Sequence, residues 1–562
     1  MKRTSKILTA ALLLSSLSSC DLTENIYDTA MSETFVKSQE DVPYVLNGTY
    51  SLLSSTNLFK NAVNNLYITG ADDIVGTGTT SSAFSQKVYS SSTSNFVSSW
   101  TGFFQVINNA NKLREDMEPV PMNEAYKARV TGELLFLRGA MYFELVRLHG
   151  GVPLRLEGSN GGTTVFNAPR NTVDEVYAQI FADFTKAEEL CIPYSQMPAM
   201  ERGHATKGAA QALLALAHLT YGNQLDLRGD NAKAREHYTQ ALSWANRVIQ
   251  SGEYSLIPNY ADLWDVEKET AAYQEVIWSV RFTRDPLTAG ASSKGSEITN
   301  LALPQTLFGQ TGSGAAGGGA SNYRMQPWFY NFYTSGDFAG DFRGEVSFLT
   351  RWPYQNQVGV YRLAYPLVKS AIDAPESVEA QPYLYKYRDP KGFDSRNHEN
   401  DFFFMRLAEI YLIKAEAENE LNGPTAAAYE AFNKLRERAR NAKGTMRQVP
   451  RNLETGLTKE EFRLKIFHER GLELVGEGHR WFDLVRMRYK DNKRTMMEYQ
   501  LGEFVKTIPP GLPKYNALLN VWEGGQMDPT TMPAWNPKFL LFPVSANELN
   551  SNPSFGPQNP GW

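Results

Sequence analysis

The stretch GELLFLRGAMYFELVRLHGGVPL, residues 132–154, constrains the fold of this chain more than any other segment. It is apolar on most faces until Gly150-Gly151, and Pro153 then forbids helical continuation. A helix of this kind has to be enclosed by other elements. Helical spacing recurs on both sides of it. NTVDEVYAQIFADFTKAEEL (171–190) opens on Thr172 with Glu175 three residues later, a capping box ahead of Val173, Val176, Tyr177, Ile180, Phe184 and Ala187. Residues 205–222 and 231–254 read as a helix pair in which Ala209, Ala212 and Ala217 let the backbones approach closely. A second block starts at MRLAEIYLIKAEAENELNG (405–423), breaks at Gly423-Pro424, and resumes in TAAAYEAFNKLRERAR (425–440). The pattern predicts a mainly α fold of tetratricopeptide-like helical hairpins with loop-rich insertions, each hairpin covered by its neighbour. The helical blocks cover about 128–254 and about 400–490.

The first residues are not part of that body. Lys2, Arg3 and Lys6 precede ILTAALLL (7–14), an apolar run too short to span a bilayer. Leu17, two serines and Cys20 follow, and this order looks like a bacterial lipobox. Residues 1–19 then read as a lipoprotein signal peptide, Cys20 as the lipidated N-terminus, 20–40 as a tether and 41–562 as the body. Each buried acyl CH₂ contributes about 0.8 kcal/mol, so two or more chains anchor stably. The other cysteine, Cys191, closes a helical pattern and reads as a small core residue. The formal charge is −5 before the basic leader is removed. Such a chain has no bulk attraction for nucleic acid.

Two regions depart from helical patterning. Residues 77–99 are rich in Ser, Thr and Gly, and 309–320 read GQTGSGAAGGGA. Insertions at about 70–100 and about 285–400 are therefore the expected ligand-binding loops. Candidate contacts are Asp72 and Asp73, at the end of YITGADD, with Trp328, Tyr330 and Trp352 in or after the glycine-rich insertion. For each of them, core packing or loop-end capping is the competing reading. No cofactor is expected. A calcium ion has no EF-hand-like spacing behind it, and no metal set is expected from the histidines.

The most charged segment is HERGLELVGEGHRWFDLVRM, 468–487. It follows LTKEEF, where Thr458 caps, Glu461 stands at the third helical position and Leu457 can pack on Phe462. The helix is predicted to stop at Gly476 and Gly478, before a second helix carrying Trp481 and Phe482. Arg470, Glu473, Glu477, Arg480 and Asp483 alternate with apolar residues and fit a network of ion pairs at a helix–helix corner. His468 and His479 lack metal-ligand spacing, and there is no HExxH or CxxC. The segment reads as structure, with no catalytic residue in it.

GLELVGEGHRWFDLVRM (471–487) closely resembles the signature of the SusD/RagB outer-membrane lipoproteins of Bacteroidetes. The resemblance extends over nearly the whole chain. It includes VLNGTYSLL (45–53), WTGFFQVINNANKL (100–113), residues 132–154, RGHATKGAAQALLALAHL (202–219), RLAEIYLIKAEAENEL (406–421) and the terminal KFLLFPVSANELNSNPSFGPQNPGW (538–562). Leu474-Val475 stands where Ala-Phe is usual, and Val544 where Ile is. The resemblance implies four tetratricopeptide-like hairpins. It further implies a cell-surface lipid-anchored receptor for oligosaccharides (peptides in some members), with a SusC-like TonB-dependent transporter as partner. Arg470, Glu473, Glu477, His479, Arg480, Trp481 and Asp483 would then be structural-motif residues. Two other functions compete with glycan delivery: a secreted glycoside hydrolase, and a peptide-binding or scaffold lipoprotein of the same complex. A hydrolase would need convergent carboxylates, or a nucleophile with its base, and there is no GxSxG.

Overall fold

The structure is a computed structural model that describes residues 36–159, 167–284, 294–307, 319–354, 359–391 and 396–562. The leader, Cys20 and most of the tether lie outside these residues, as does nearly all of the 309–320 run.

The N-terminal half is helical: α1 (Val42–Leu53), α2 (Ala62–Thr69), α3 (Thr79–Gln86), α4 (Ser94–Met117), α5 (Glu124–His149), α6 (Val173–Leu190), α7 (Lys207–Leu227) and α8 (Asn231–Gln250). The second half adds α9 (Pro327–Tyr333), α10 (Phe342–Ser347), α11 (Leu407–Asn422), α12 (Ala426–Ala439), α13 (Lys459–Glu473), α14 (Arg480–Arg486) and α15 (Met496–Gly502). Helices α5 and α6 form one hairpin, α7 and α8 the next, and α11 with α12 a third, with α11 also lying along α8. The chain is mainly α, as its periodicity predicts.

Helix α5 is the axis of the core. Every residue from Gly132 to His149 is buried. Its charged side chains therefore need internal partners. Arg138 grips Asp183 of α6 through Nε at 2.8 Å and Nη2 at 2.6 Å, and donates to Asn111 Oδ1 of α4 at 2.8 Å. Glu144 accepts from Arg147 and from the Tyr67 hydroxyl. Burial, the main effect on His149, pushes its imidazole down to about 4, so it is neutral at pH 7. One apolar cluster runs from Leu53 through both helical blocks to Phe555. The terminal segment closes it, since Asn559 donates to the His149 and Phe542 carbonyls at 3.0 and 2.7 Å.

The capping boxes at Thr172–Glu175 and Thr458–Glu461 are both present. Cys191 is buried. The 70–100 region departs from expectation, because it holds α3 and the start of α4 rather than an open loop. Its Ser and Thr residues are poor helix formers. Tertiary contacts override that preference: Phe84 and Phe96 are fully buried, Ser85 Oγ accepts from Gly76 N at 2.7 Å, and Ser81 Oγ donates to Asn65 at 2.8 Å.

Strands are short and serve as clasps. Four of them, β1 (Ile74–Gly76), β3 (Tyr323–Met325), β4 (Phe348–Leu349) and β8 (Tyr383–Leu384), form a sheet in the order β1-β3-β8-β4, with Ile74 opposite Met325. A second, antiparallel pair joins β2 (Val276–Val280) to β9 (Phe402–Arg406). A third sheet pairs β5 (Arg351–Pro353), β6 (Tyr361–Ala364) and β7 (Asp373–Glu379). A long hairpin, β10 (Gly511–Asn516) with β11 (Val521–Met527), extends from the C-terminal part.

Candidate functional site

Helix α13 ends at Glu473, and its last carbonyls point into protein rather than water. The Glu473 carbonyl accepts from Tyr260 Oη at 2.8 Å, Lys386 Nζ at 2.9 Å and Arg406 Nη2 at 2.7 Å. Cations there satisfy the orphan acceptors and the negative end of the helix dipole. The Glu473 carboxylate takes Arg343 at 2.9 Å, Arg406 at 2.6 Å and Arg438. Glu477 takes Arg406 at 2.8 Å and Lys386 at 2.7 Å. Burial alone would raise the Glu473 carboxyl, but the Arg438, Arg406 and Arg343 guanidiniums outweigh it and hold the group well below the usual range.

The same network ties in the following helix. Arg470 bridges Asp483 at 2.7 Å and Glu409 at 2.9 Å. Burial, chiefly, holds His479 below its ordinary value, despite the Glu409 carboxylate 3.4 Å away. Trp481 is buried and stacks on Phe542 at 4.5 Å. Gly476 has φ +74°, and a Cβ there would also strike Leu384, so the turn between α13 and α14 requires glycine. These carboxylates are all buried and engaged by arginine or lysine.

Four of the five proposed ligand contacts are also interior. Asp72 holds the Arg480 fork at 2.7 and 2.9 Å and accepts from Gln500 at 2.8 Å, so it belongs to the ion-pair network. Asp73 is buried beside it, and burial, reinforced by Asp72, pushes its carboxyl up to about 7. Trp352 is 1% exposed and donates to Thr306 at 3.0 Å. Trp328 is 6% exposed and borders a cavity of about 110 Å³. Ligand pockets are usually ~300–1,000 Å³. As placed, these four side chains offer no face to a soluble ligand, a correction to the expectation from the loop composition.

Tyr330 is the exception. It is half-buried on α9, with its ring edge-on to Phe348 at 5.5 Å. Burial, and then the neighbouring Tyr365 phenol, raise its hydroxyl pKa. Tyr365 shares reciprocal hydrogen bonds with Asn331, at 2.7 and 3.1 Å. Its ring lies 5.3 Å from that of Trp522, which lies 5.3 Å from that of Tyr515. Trp522 Nε1 donates to the Leu367 carbonyl at 2.9 Å, and Lys369 N to Tyr515 Oη at 3.3 Å. The result is a strip of four partly exposed rings edged by Asn331, Asn520 and Lys369. The sequence reading missed Tyr365, Tyr515 and Trp522. A trace of Tyr515 and Trp522 was there in KYNALLNVWEGG (514–525), two strand-like runs around a short turn, but strand pairing alone does not say which surface the hairpin joins.

Among the described residues there is no group of three or more His, Cys, Asp or Glu placed to hold a metal ion. No helix of the described residues is long and apolar enough to cross a membrane.

The comparisons agree with this architecture. The family model described as the SusD family matches residues 274–562, and a second, described as starch-binding associating with outer membrane, matches 22–219. The SusD-like protein P2 of Formosa agariphila is 26% identical over 99% of both chains. A SusD homologue of Bacteroides thetaiotaomicron shares the fold, with TM-score 0.77 at 22% identity over 94% of this chain and 98% of that one. A laminarin-binding SusD-like protein does so with TM-score 0.66 at 23% identity, over 94% of this chain and all of the other. With a model covering half the chain, the buried arginine–carboxylate corner of α13–α14 and this shared fold, the chain belongs to the SusD/RagB family.

Proposed function

We propose that this protein is a glycan-binding lipoprotein of the cell surface that captures oligosaccharides and delivers them to a SusC-like TonB-dependent transporter. The observation that carries the reading is the strip Tyr330–Tyr365–Trp522–Tyr515, rings partly open to solvent beside amide and charged groups. Sugar C–H faces pack on aromatic rings, and hydroxyls pair with amides and carboxylates. Each ring adds roughly 0.5–1.5 kcal/mol beyond burial if sugar stacking follows aromatic pairing. A few such contacts give affinities on the order of micromolar to millimolar, weak enough for release. Family membership supports the same reading, as does a structural neighbour described as laminarin-binding.

Capture requires no covalent chemistry, and the protein is not an enzyme in this reading. Acylation at Cys20 would hold it to the outer membrane, and the barrel of the transporter would receive the cargo. The test is an affinity-gel and glycan-array screen of the form lacking residues 1–20, with a Tyr365→Ala/Trp522→Ala double variant. Retention by wild type that disappears in the variant, with the melting temperature kept, is the expected result. Undiminished retention in the variant removes the strip from the site. New reducing ends on incubation with the retained glycan would make the protein a hydrolase instead.

A further inference from the structure

A cleft of about 490 Å³ opens between α1, the 199–204 segment ahead of α7, and the end of β2 running to Thr283, with Lys294 on one side. It shares no residue with the aromatic strip. Its size falls within the ~300–1,000 Å³ of ordinary ligand pockets. Its charged lining is Arg202, Arg281 and Lys294, with His204 beside them and no carboxylate among the described residues. In a chain with 61 acidic and 56 basic side chains, that local excess is unexpected.

The three cations are not equivalent. Arg281 is spent on the interior, paired with Asp401 and Glu269 at 2.9 Å each. Lys294 forms no ion pair among the described residues, and its Nζ reaches only the Ser51 carbonyl at 3.5 Å. Arg202 is half-buried, and its guanidinium has no carboxylate partner among the described residues. The acids nearby are held elsewhere, since Glu201 and Glu133 both bind Arg129. Two positive groups with no carboxylate partner among the described residues therefore line a cavity wide enough for a ring-sized ligand. Its other walls suit a sugar. Asn47 and Ser51 fall on one face of α1, Ser54 caps its end, and Tyr44, 72% exposed, lies one turn earlier on that face. Tyr50 stacks on His204 at 4.1 Å, which fixes the floor of the cleft.

We propose that this cleft binds an acidic sugar unit, with Arg202 and Lys294 holding its carboxylate or sulfate and Asn47 and Ser51 meeting ring hydroxyls. The arginine fork matches a planar carboxylate, or two sulfate oxygens, and a lysine adds a point charge. The inference rests on the glycan-capture reading and narrows its cargo to anionic saccharides.

The experiment titrates the chain lacking residues 1–20 with trigalacturonate, a sulfated carrageenan oligosaccharide and neutral galactotriose, by calorimetry at low and at physiological salt. An acidic probe should bind at least about tenfold more tightly than the neutral one, and more weakly as salt rises. Arg202→Gln/Lys294→Gln should weaken that binding about tenfold or more, at an unchanged melting temperature, because neither side chain forms an ion pair among the described residues. Binding of only one acidic probe supports the proposal and identifies the anion. The absence of binding by both acidic probes overturns it, as does unchanged affinity in the double variant. Neutral glycan retained by wild type but not by Tyr365→Ala/Trp522→Ala, with neither acidic probe bound, would reject the cleft and leave the capture reading standing.

Discussion

Glu473 sits where Arg343, Arg406 and Arg438 converge, with none of the four side chains meaningfully exposed. Removing one partner from such a cluster leaves uncompensated buried charge, which costs more than the pair itself contributes. Glu473→Gln is expected to lose roughly 3–5 kcal/mol of stability in urea unfolding. Asp73 behaves in the opposite sense. Its carboxyl, raised to about 7 chiefly by burial, is protonated in the fold at low pH, and its stabilising contribution is lost as pH rises through that value. Asp73→Asn, a neutral mimic of the protonated acid, should therefore gain roughly 2–3 kcal/mol more over wild type at pH 8 than at pH 5. Denaturant midpoints at the two pH values give that difference.

At the scale of elements, the helices follow their own sequences and the loops do not. Thr458 accepts from Glu461 N at 3.2 Å while Glu461 accepts from Thr458 N at 2.8 Å, so α13 begins where its capping box places it. Thr458→Ala should cost about 1 kcal/mol, read as a lowered melting temperature, with Glu461→Ala adding little on top because the two share one motif. By contrast, α3 forms in a Ser/Thr-rich stretch because Phe84 and Phe96 have a core to enter. Trp352 and Trp328 show the same limit from the other side. They sit in an insertion that composition marks as an exposed binding loop, yet β5 pairing and the α9 packing turn both rings inward.

For the whole molecule, the paired carboxylates set the acid limit. Burial would raise Glu469, Glu473, Glu477 and Asp483, but their arginine and lysine partners outweigh it and leave each lowered. Glu420, against Arg463, is brought down to about 2. A depressed carboxylate contributes stability above its unfolded value, and that stability is lost as pH falls through the folded one. The melting temperature should thus vary little on this account from pH 8 to about pH 5 and fall steeply between about pH 4.5 and pH 2. A scanning-calorimetry series that kept its melting temperature at pH 3 would mean that the network does not hold the fold.

The sequence by itself determined the helical body, its capping boxes, the glycine turn at 476–478 and the charged corner, because each depends on residues within a few positions of one another or on a periodic apolar face. Arg470, Arg480 and Asp483 could be read as a network from their alternation with apolar residues, although their partners Glu409 and Asp72 could not. Only the tertiary structure decided which aromatic residues meet solvent. Tyr365, Tyr515 and Trp522 come from segments about 150 residues apart and meet through a hairpin tip and a loop. Among the described residues, Arg202 and Lys294 likewise have no carboxylate partner while Glu133 and Glu201 bind Arg129, and local sequence carries no record of such long-range pairing.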